Sequence, residues 1–244
     1  MPEETLLLQK RLLELANKAE TLDRAFFTPF LTLAEQDIAA RILPAQAYRA
    51  WGGFPEAERK ILCFGPEAPP PICYLCIRPR NAKFAQALTH RDYLGALLAL
   101  GVKRQVLGDI LPGEDQAFCV CLHSVAGYIA ESLQQVNRTS VFVEQRNDLP
   151  AYALPRLRTI SVSVSSLRLD GLIAAVYHIA REDSRRLCLK EQVFVNSMPC
   201  GKPDYMPKPQ QIVSVRGYGR FRFLGQEGMS KRGRLKATVD LYES

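Results

Sequence analysis

The groups in this sequence best suited to chemistry are arginines set among apolar residues, and the chemistry they suit is the binding of phosphate. Arg168-Leu169-Asp170, Arg185-Arg186, Lys190, Asn196, Arg216 and Arg220-Phe221-Arg222-Phe223 all fall in the last third of the chain. A guanidinium is a planar fork that holds an oxyanion through paired N–H groups, which a loose lysine-rich tail does not do. The charge balance agrees. Residues 156–244 hold 16 Lys/Arg against 8 Asp/Glu, and the residues before them 16 against 17, so the net +7 is entirely C-terminal. That asymmetry is expected when one part of a chain meets a polyanion and the rest does not. An acidic membrane surface would satisfy the charge alone. The interleaved apolar pattern, which can fold, favours structured RNA.

These side chains need elements to position them. Leu167, Leu169, Leu172, Ile173 and Val176 recur at helical spacing, with Asp170 near the positive end of that helix. Ser184 is expected to cap a second helix that carries Arg185 and Arg186 outward beside Leu187 and Leu189. Residues 193–195 and Ile212, Val213 and Val215 read as strands on either side of a stretch rich in Pro and Gly. Gly217 and Gly219 bracket Tyr218, and beyond them period-two alternation puts Arg220 and Arg222 on one face and Phe221 and Phe223 on the other. One face is expected to bind and the other to pack.

In this order, Arg-Leu-Asp, Ser-Arg, Val-x-Val-Asn and Arg-Gly-x-Gly-Arg-Phe resemble the RNA-binding domain first named for small-subunit ribosomal protein S-four. That resemblance implies a helix-helix-strand surface that holds structured RNA by shape and phosphate contacts. The chain departs from the pattern at Glu191-Gln192, where a Gly-containing turn is usual, and at Pro209-Gln210-Gln211, which replaces a Gly-Asp turn. Unusual turn geometry is expected at both places.

Before this module, 244 residues with 47% hydrophobic content can bury a substantial core. No apolar run reaches the roughly 18 residues of a membrane span, and residues 1–20 alternate charge with leucine as no signal peptide does. Seven cysteines, an odd number scattered through apolar segments, suit a reducing compartment, so a cytoplasmic protein is expected. Leu6, Leu7, Leu8, Leu12, Leu13, Leu15 and Ala16 make one helical stripe. Thr32 to Ile42 makes a second helix that Pro44 ends. Their leucine faces suit core packing, or alternatively a protein partner.

The middle segment alternates between the two periods: strand 72–77, helix 84–100, extended 105–111, strand 117–122, helix 125–136 and strand 140–143. Strand-helix-strand-strand-helix-strand predicts a ferredoxin-like sandwich, the architecture of RNA-recognition motifs. Their stacking signature is missing, because Ala117-Phe118-Cys119-Val120-Cys121 offers a single ring. Fold alone therefore does not assign RNA binding here. Within this segment His90, Arg91, Lys103 and Arg104 flank a helix and are candidates for a second RNA contact, with Gly95 allowing close approach. Alternatively His90 and Asp92 cap the helix and Gly101 ends it.

The whole chain, through residues 30–38, Gly52-Gly53 to Arg59, His90 to Ile110 and the terminal module, resembles the YlmH-type RNA-binding proteins of bacteria. The resemblance implies association with ribosomal RNA and tRNA on the large ribosomal subunit, in ribosome-associated quality control, with a secondary link to cell division. It also implies that Arg168, Asp170 and Arg185 hold that RNA.

The expected α+β organisation is a helical segment over 1–70, a ferredoxin-like domain over 71–155 and an S-four-type domain over 156–244. Rival chemistry is thin. Cys73-x-x-Cys76 with Cys119-x-Cys121 could suggest zinc, but both pairs lie in strand-like apolar runs without a knuckle turn. No Gly-x-x-x-x-Gly-Lys loop occurs. A pseudouridine-synthase-like enzyme would need a second Arg-Leu-Asp and a longer middle domain. The expectation is a monomeric, non-enzymatic RNA binder without cofactor, metal or small-molecule substrate, the alternatives being an RNA-modifying enzyme or an interaction adaptor.

Overall fold

A computed structural model describes residues 3–81, 87–229 and 233–243. It is a mixed α+β chain that divides into two compact units, Met1–Leu154 and Pro155–Ser244.

In the first unit the leucine stripe forms helix α1 (Glu3–Leu22), and α2 (Leu33–Ile42) follows it. Thr32 caps α2 through a box with Glu35, each side chain bonding the other's main chain, and Leu43 turns extended before Pro44. Leu12, Ala19, Leu31, Ala39, Leu43, Leu62 and Phe64 make their shared core. This region is less helical than the sequence predicts. β1 (Phe26–Phe27), β2 (Arg49–Trp51) and β3 (Ile61–Phe64) pair as a small antiparallel sheet in the order β1-β3-β2. Strands of two to four residues paired across the chain leave no periodic signal in the sequence.

Then come β4 (Ile72–Pro79), α3 (His90–Ala99), β5 (Leu107–Pro112), β6 (Ala117–Leu122), α4 (His123–Ser132), β7 (Gln135–Val136) and β8 (Thr139–Arg146). The sheet order is β5-β6-β4-β8-β7 with every pair antiparallel, which is the ferredoxin-like arrangement plus a short edge strand. The predicted helix over 84–100 begins at His90 among the described residues, and its positions 84–86 lie outside them. Tyr93 and Leu97 of α3 and Ala126 and Ile129 of α4 pack on Cys73, Leu75, Ile77, Cys119 and Cys121, so both helices cover one face.

The chain itself covers much of the other face. Val120 is fully buried with Phe30, Phe54, Ala57 and Ile61, and Phe118 meets the ring of Tyr152 at 6.1 Å. Gly53, at φ +101°, is required in that contact. A Cβ there would lie 3.0 Å from Tyr74 and from Val120.

The second unit runs β9 (Leu157–Val164), α5 (Leu169–Tyr177), α6 (Arg181–Leu189), β10 (Val193–Val195), β11 (Met198–Pro199), β12 (Ile212–Val215), β13 (Gly219–Met229) and β14 (Leu235–Tyr242). Its six strands are antiparallel in the order β11-β10-β12-β13-β14-β9. Leu169, Leu172, Ile173 and Val176 of α5 and Cys188 of α6 pack with Val193, Val213, Val215, Phe221, Phe223, Ala237 and Val239 into one core. Ser184 is no cap. Helix α6 begins at Arg181 after Ala180, with Glu182 and Asp183 in its first turn favouring the positive end, and Ser184 is buried one turn in.

Both departures from the S-four-type pattern coincide with left-handed backbone, at Glu191 (φ +52°) and Gln210 (φ +70°). A side chain there carries a steric cost that glycine avoids.

Candidate nucleic-acid interface

Asp170 is the hinge of the site. It is 3% exposed at the start of α5, where the N–H groups of Leu169 and Asp170 donate to the carbonyls of Tyr205 (2.7 Å) and Pro203 (3.0 Å). The loop thus satisfies the helix end that no side chain caps. The carboxylate accepts from Gly171 N–H at 2.8 Å and from both Nε (3.1 Å) and Nη2 (3.3 Å) of Arg181. Arg168 Nε stands 3.4 Å from its Oδ1. The Ser184 hydroxyl donates to the Asp170 carbonyl and ties α6 to α5.

Arg181 is the residue that the sequence reasoning missed. It lies eleven positions from Asp170, on the other helix, and nothing local marks the pair. The two arginines keep side-chain exposures of 42% (Arg168) and 52% (Arg181), so each can turn further donors outward. Arg185 is one turn beyond Arg181, exposed and, among the described residues, without an ion pair. Asp170 therefore positions Arg168 and Arg181, and does not touch Arg185.

The other predicted residues divide. Arg186 is exposed but faces Glu182 (4.0 Å) and Asp183 (3.6 Å) along its own helix, contacts worth little to stability that partly balance its charge. Lys190 is exposed at the C-terminal end of α6, where a cation is favoured. Asn196 is buried in a turn at φ +48°, where its Oδ1 accepts from Ile212 N–H at 3.0 Å, a hairpin role.

Arg216, Arg220 and Arg222 belong to a different surface. Phe221 and Phe223 are buried against α5 and α6, so alternation turns Arg220 and Arg222 to the opposite side of the sheet. The exposed and partly exposed members of the nine thus fall on two surfaces separated by the core, while Asp170 and Asn196 are buried.

In the first unit, Thr89 rather than His90 partners Asp92 in the cap of α3, and Thr89's hydroxyl and N–H hold the Asp92 carboxyl below its usual value. His90 and Arg91 are exposed in that first turn, and Lys103 is exposed beyond the helix, which Gly101 ends at φ +83°. Gly95 faces open space, so no close approach explains it.

Arg104 differs from the other three candidates of the second contact in being tied to the main chain. Its Nη1 donates to the carbonyls of Leu107 (2.7 Å) and Gly108 (3.0 Å), and burial lowers its pKa. Beside it Arg59 bonds the carbonyls of Leu107 and Phe30, both at 3.0 Å. Burial first, and then Arg104, pushes Arg59 down to about 10. Asp109 accepts from the N–H groups of Glu58 (2.6 Å) and Arg59 (3.1 Å), while burial pushes its carboxyl up. This cluster pins residues 28–62 to the ferredoxin-like sheet.

The cysteine pairs do not converge on a metal. Cys73 faces the helices and pairs across strands with Cys121, whereas Cys76 opposes Phe118 on the other face. Burial drives the thiols of Cys119, to about 12, and of Cys121 and Cys73 upward, away from the thiolate a metal requires. No helix among the described residues is long and apolar enough to cross a membrane.

A family model described as "Putative RNA-binding domain in YlmH" matches residues 76–149. Over 225 residues the chain is 30% identical to "Ribosome-associated protein quality control protein P2" of Bacillus subtilis (strain 168), covering 89% of this chain and 87% of that protein. Among solved structures it is similar to "Cell division protein ylmH from Streptococcus pneumoniae", at 23% identity and a TM-score of 0.48, over 60% of this chain and 93% of that one.

Proposed function

The chain belongs to the YlmH family, and on that premise we propose that it is a non-enzymatic RNA-binding protein of ribosome-associated quality control. It holds ribosomal RNA and peptidyl-tRNA on the large subunit and acts by stabilising that state, without altering the RNA. The observation that carries this reading is the buried carboxylate of Asp170 between Arg168 and Arg181, with Arg185 exposed one turn on. A carboxylate fixed by main-chain and guanidinium donors holds two positive groups at a set spacing before RNA arrives, so less ordering entropy is lost on binding. The net positive charge, which lies wholly in residues 156–244, supports that unit as the main source of affinity. The relative's name supports the quality-control setting, and the family description supports RNA as ligand. In the matched region, the exposed His90, Arg91 and Lys103 are the candidates for a subsidiary contact.

Sucrose-gradient sedimentation with crosslink mapping tests this. The protein is expected to travel with large subunits, more so with those bearing peptidyl-tRNA than with empty ones, because a binder acts only through differential affinity. Arg185→Ala should weaken the association by about 1–3 kcal/mol and leave folding intact. Equal sedimentation of Arg185→Ala and the parent at moderate salt would remove this surface from the site. A modified nucleoside found by mass spectrometry after incubation with ribosomal RNA or tRNA would overturn the non-enzymatic role.

A further inference from the structure

We propose that the face of the C-terminal sheet turned away from α5 and α6 is a second RNA site, built to take an unpaired strand. The inference rests on the reading that the ligand is RNA, and goes beyond it in assigning a separate surface and a different RNA form.

Three arginines on this face are backed by two aromatic rings. Arg220 lies over the ring of Tyr242 at 4.3 Å, Arg222 donates to the Tyr242 hydroxyl at 3.0 Å, and Arg216 lies over Phe194 at 5.2 Å. The register makes this one continuous surface, because Phe194 pairs with Ser214, Ser214 with Arg220, and Arg222 with Asp240. Asp240, the carboxylate in that row, accepts from the Thr159 hydroxyl at 2.7 Å. Tyr218, in the turn between Arg216 and Arg220, packs its ring on Tyr177 of α5 at 5.6 Å and so belongs to the helix side rather than to this face.

A guanidinium is planar and stacks on aromatic faces, so one placed over a ring can also stack a nucleobase while its N–H edge meets phosphate. Bases offer their faces only where they are unpaired, whereas a duplex presents phosphate and sugar. The sheet face, with Arg220 and Arg216 over aromatic rings along neighbouring strands, fits an extended strand. Arg168 and Arg181, at the starts of α5 and α6, and Arg185, one turn further along α6, fit the phosphates of folded RNA.

The test compares two labelled RNAs on the full chain by fluorescence anisotropy at fixed salt, an oligouridine of about ten nucleotides and a stable hairpin. Arg220→Lys and Arg216→Lys keep the charge and remove the plate. Each should weaken oligouridine binding about five-fold or more while hairpin affinity stays within about two-fold. Arg185→Ala should do the reverse. An unchanged urea midpoint in both lysine variants assigns their losses to the face rather than to folding. The proposal fails if the parent does not bind oligouridine, if both lysine variants bind it as the parent does, or if Arg185→Ala weakens both RNAs by one factor, which would mean a single surface. Should Arg185→Ala leave the hairpin untouched while Arg220→Lys still loses oligouridine, the helix-side assignment falls and the sheet site stands.

Discussion

Two aspartates, each with two arginines near it, serve opposite purposes in the two units. Around Asp109 the arginines Arg59 and Arg104 are drawn inward, their donors bound by the carbonyls of Phe30, Leu107 and Gly108, and burial dominates their ionisation. Around Asp170 the carboxylate is buried while Arg168 and Arg181 remain about half exposed. The first arrangement welds chain segments together, and the second displays cations. The sheets differ in the same sense. The ferredoxin-like sheet has Val120 and Phe118 sealed under the chain's own Phe30, Phe54 and Tyr152, so the face on which RNA-recognition motifs stack bases is occupied in that part. The corresponding face of the C-terminal sheet carries Arg216, Arg220 and Arg222. Counting arginines therefore does not by itself separate the two kinds: Arg59 and Arg104 give donors to main-chain carbonyls, while Arg168 and Arg181 flank a buried carboxylate.

The comparison is broken most directly at Asp170. Asp170→Ala removes the acceptor shared by Arg181 and Gly171 N–H and the counter-charge beside Arg168, and is expected to cost about 2 kcal/mol of stability after discounting for the exposed guanidinia. Structured-RNA affinity should fall with it. A urea titration that returned the parent's midpoint would show that the carboxylate holds nothing. Next in size, Arg104→Ala leaves the carbonyls of Leu107 and Gly108 without their donor and should cost about 1–2 kcal/mol of stability, with the salt dependence of RNA binding unchanged. Arg91→Ala, on the exposed first turn of α3, should leave stability within about 0.5 kcal/mol and, if that helix start meets phosphate, lower the log–log salt slope by about 0.7 to 0.9. The opposite pattern for the two arginines would reverse the division between welding and displaying. The smallest effect is expected at Glu191. Glu191→Gly relieves a left-handed residue next to the binding helix and should stabilise the protein by about 0.5–1 kcal/mol in thermal or urea unfolding, without loss of affinity. A lowered midpoint would mean that the glutamate side chain makes the turn.

Much of this was determined by sequence alone. The charge asymmetry, the Arg-Leu-Asp and Ser-Arg spacing and the alternation from Arg220 to Phe223 depend on local order. So do the helix read over 32–42, the existence though not the start of the helix read over 84–100, and the order of the ferredoxin-like strands, because periods of 3.6 and 2 are written in neighbouring residues. At Glu191-Gln192 and Pro209-Gln210-Gln211 the sequence left the turn geometry open, and the fold holds Glu191 and Gln210 in left-handed backbone.

Tertiary structure decided what depends on distant partners. It joined Asp170 to Arg181 across two helices and buried Ser184 where a cap was expected. It paired β14 with β9 over eight positions some eighty residues apart in the chain. It also set the Nη1 of Arg104 against two carbonyls, although in sequence it stands beside the exposed Lys103 as an equal. An arginine's role follows from which acceptors the fold brings within about 3 Å, and that distance is not encoded by any spacing along the chain.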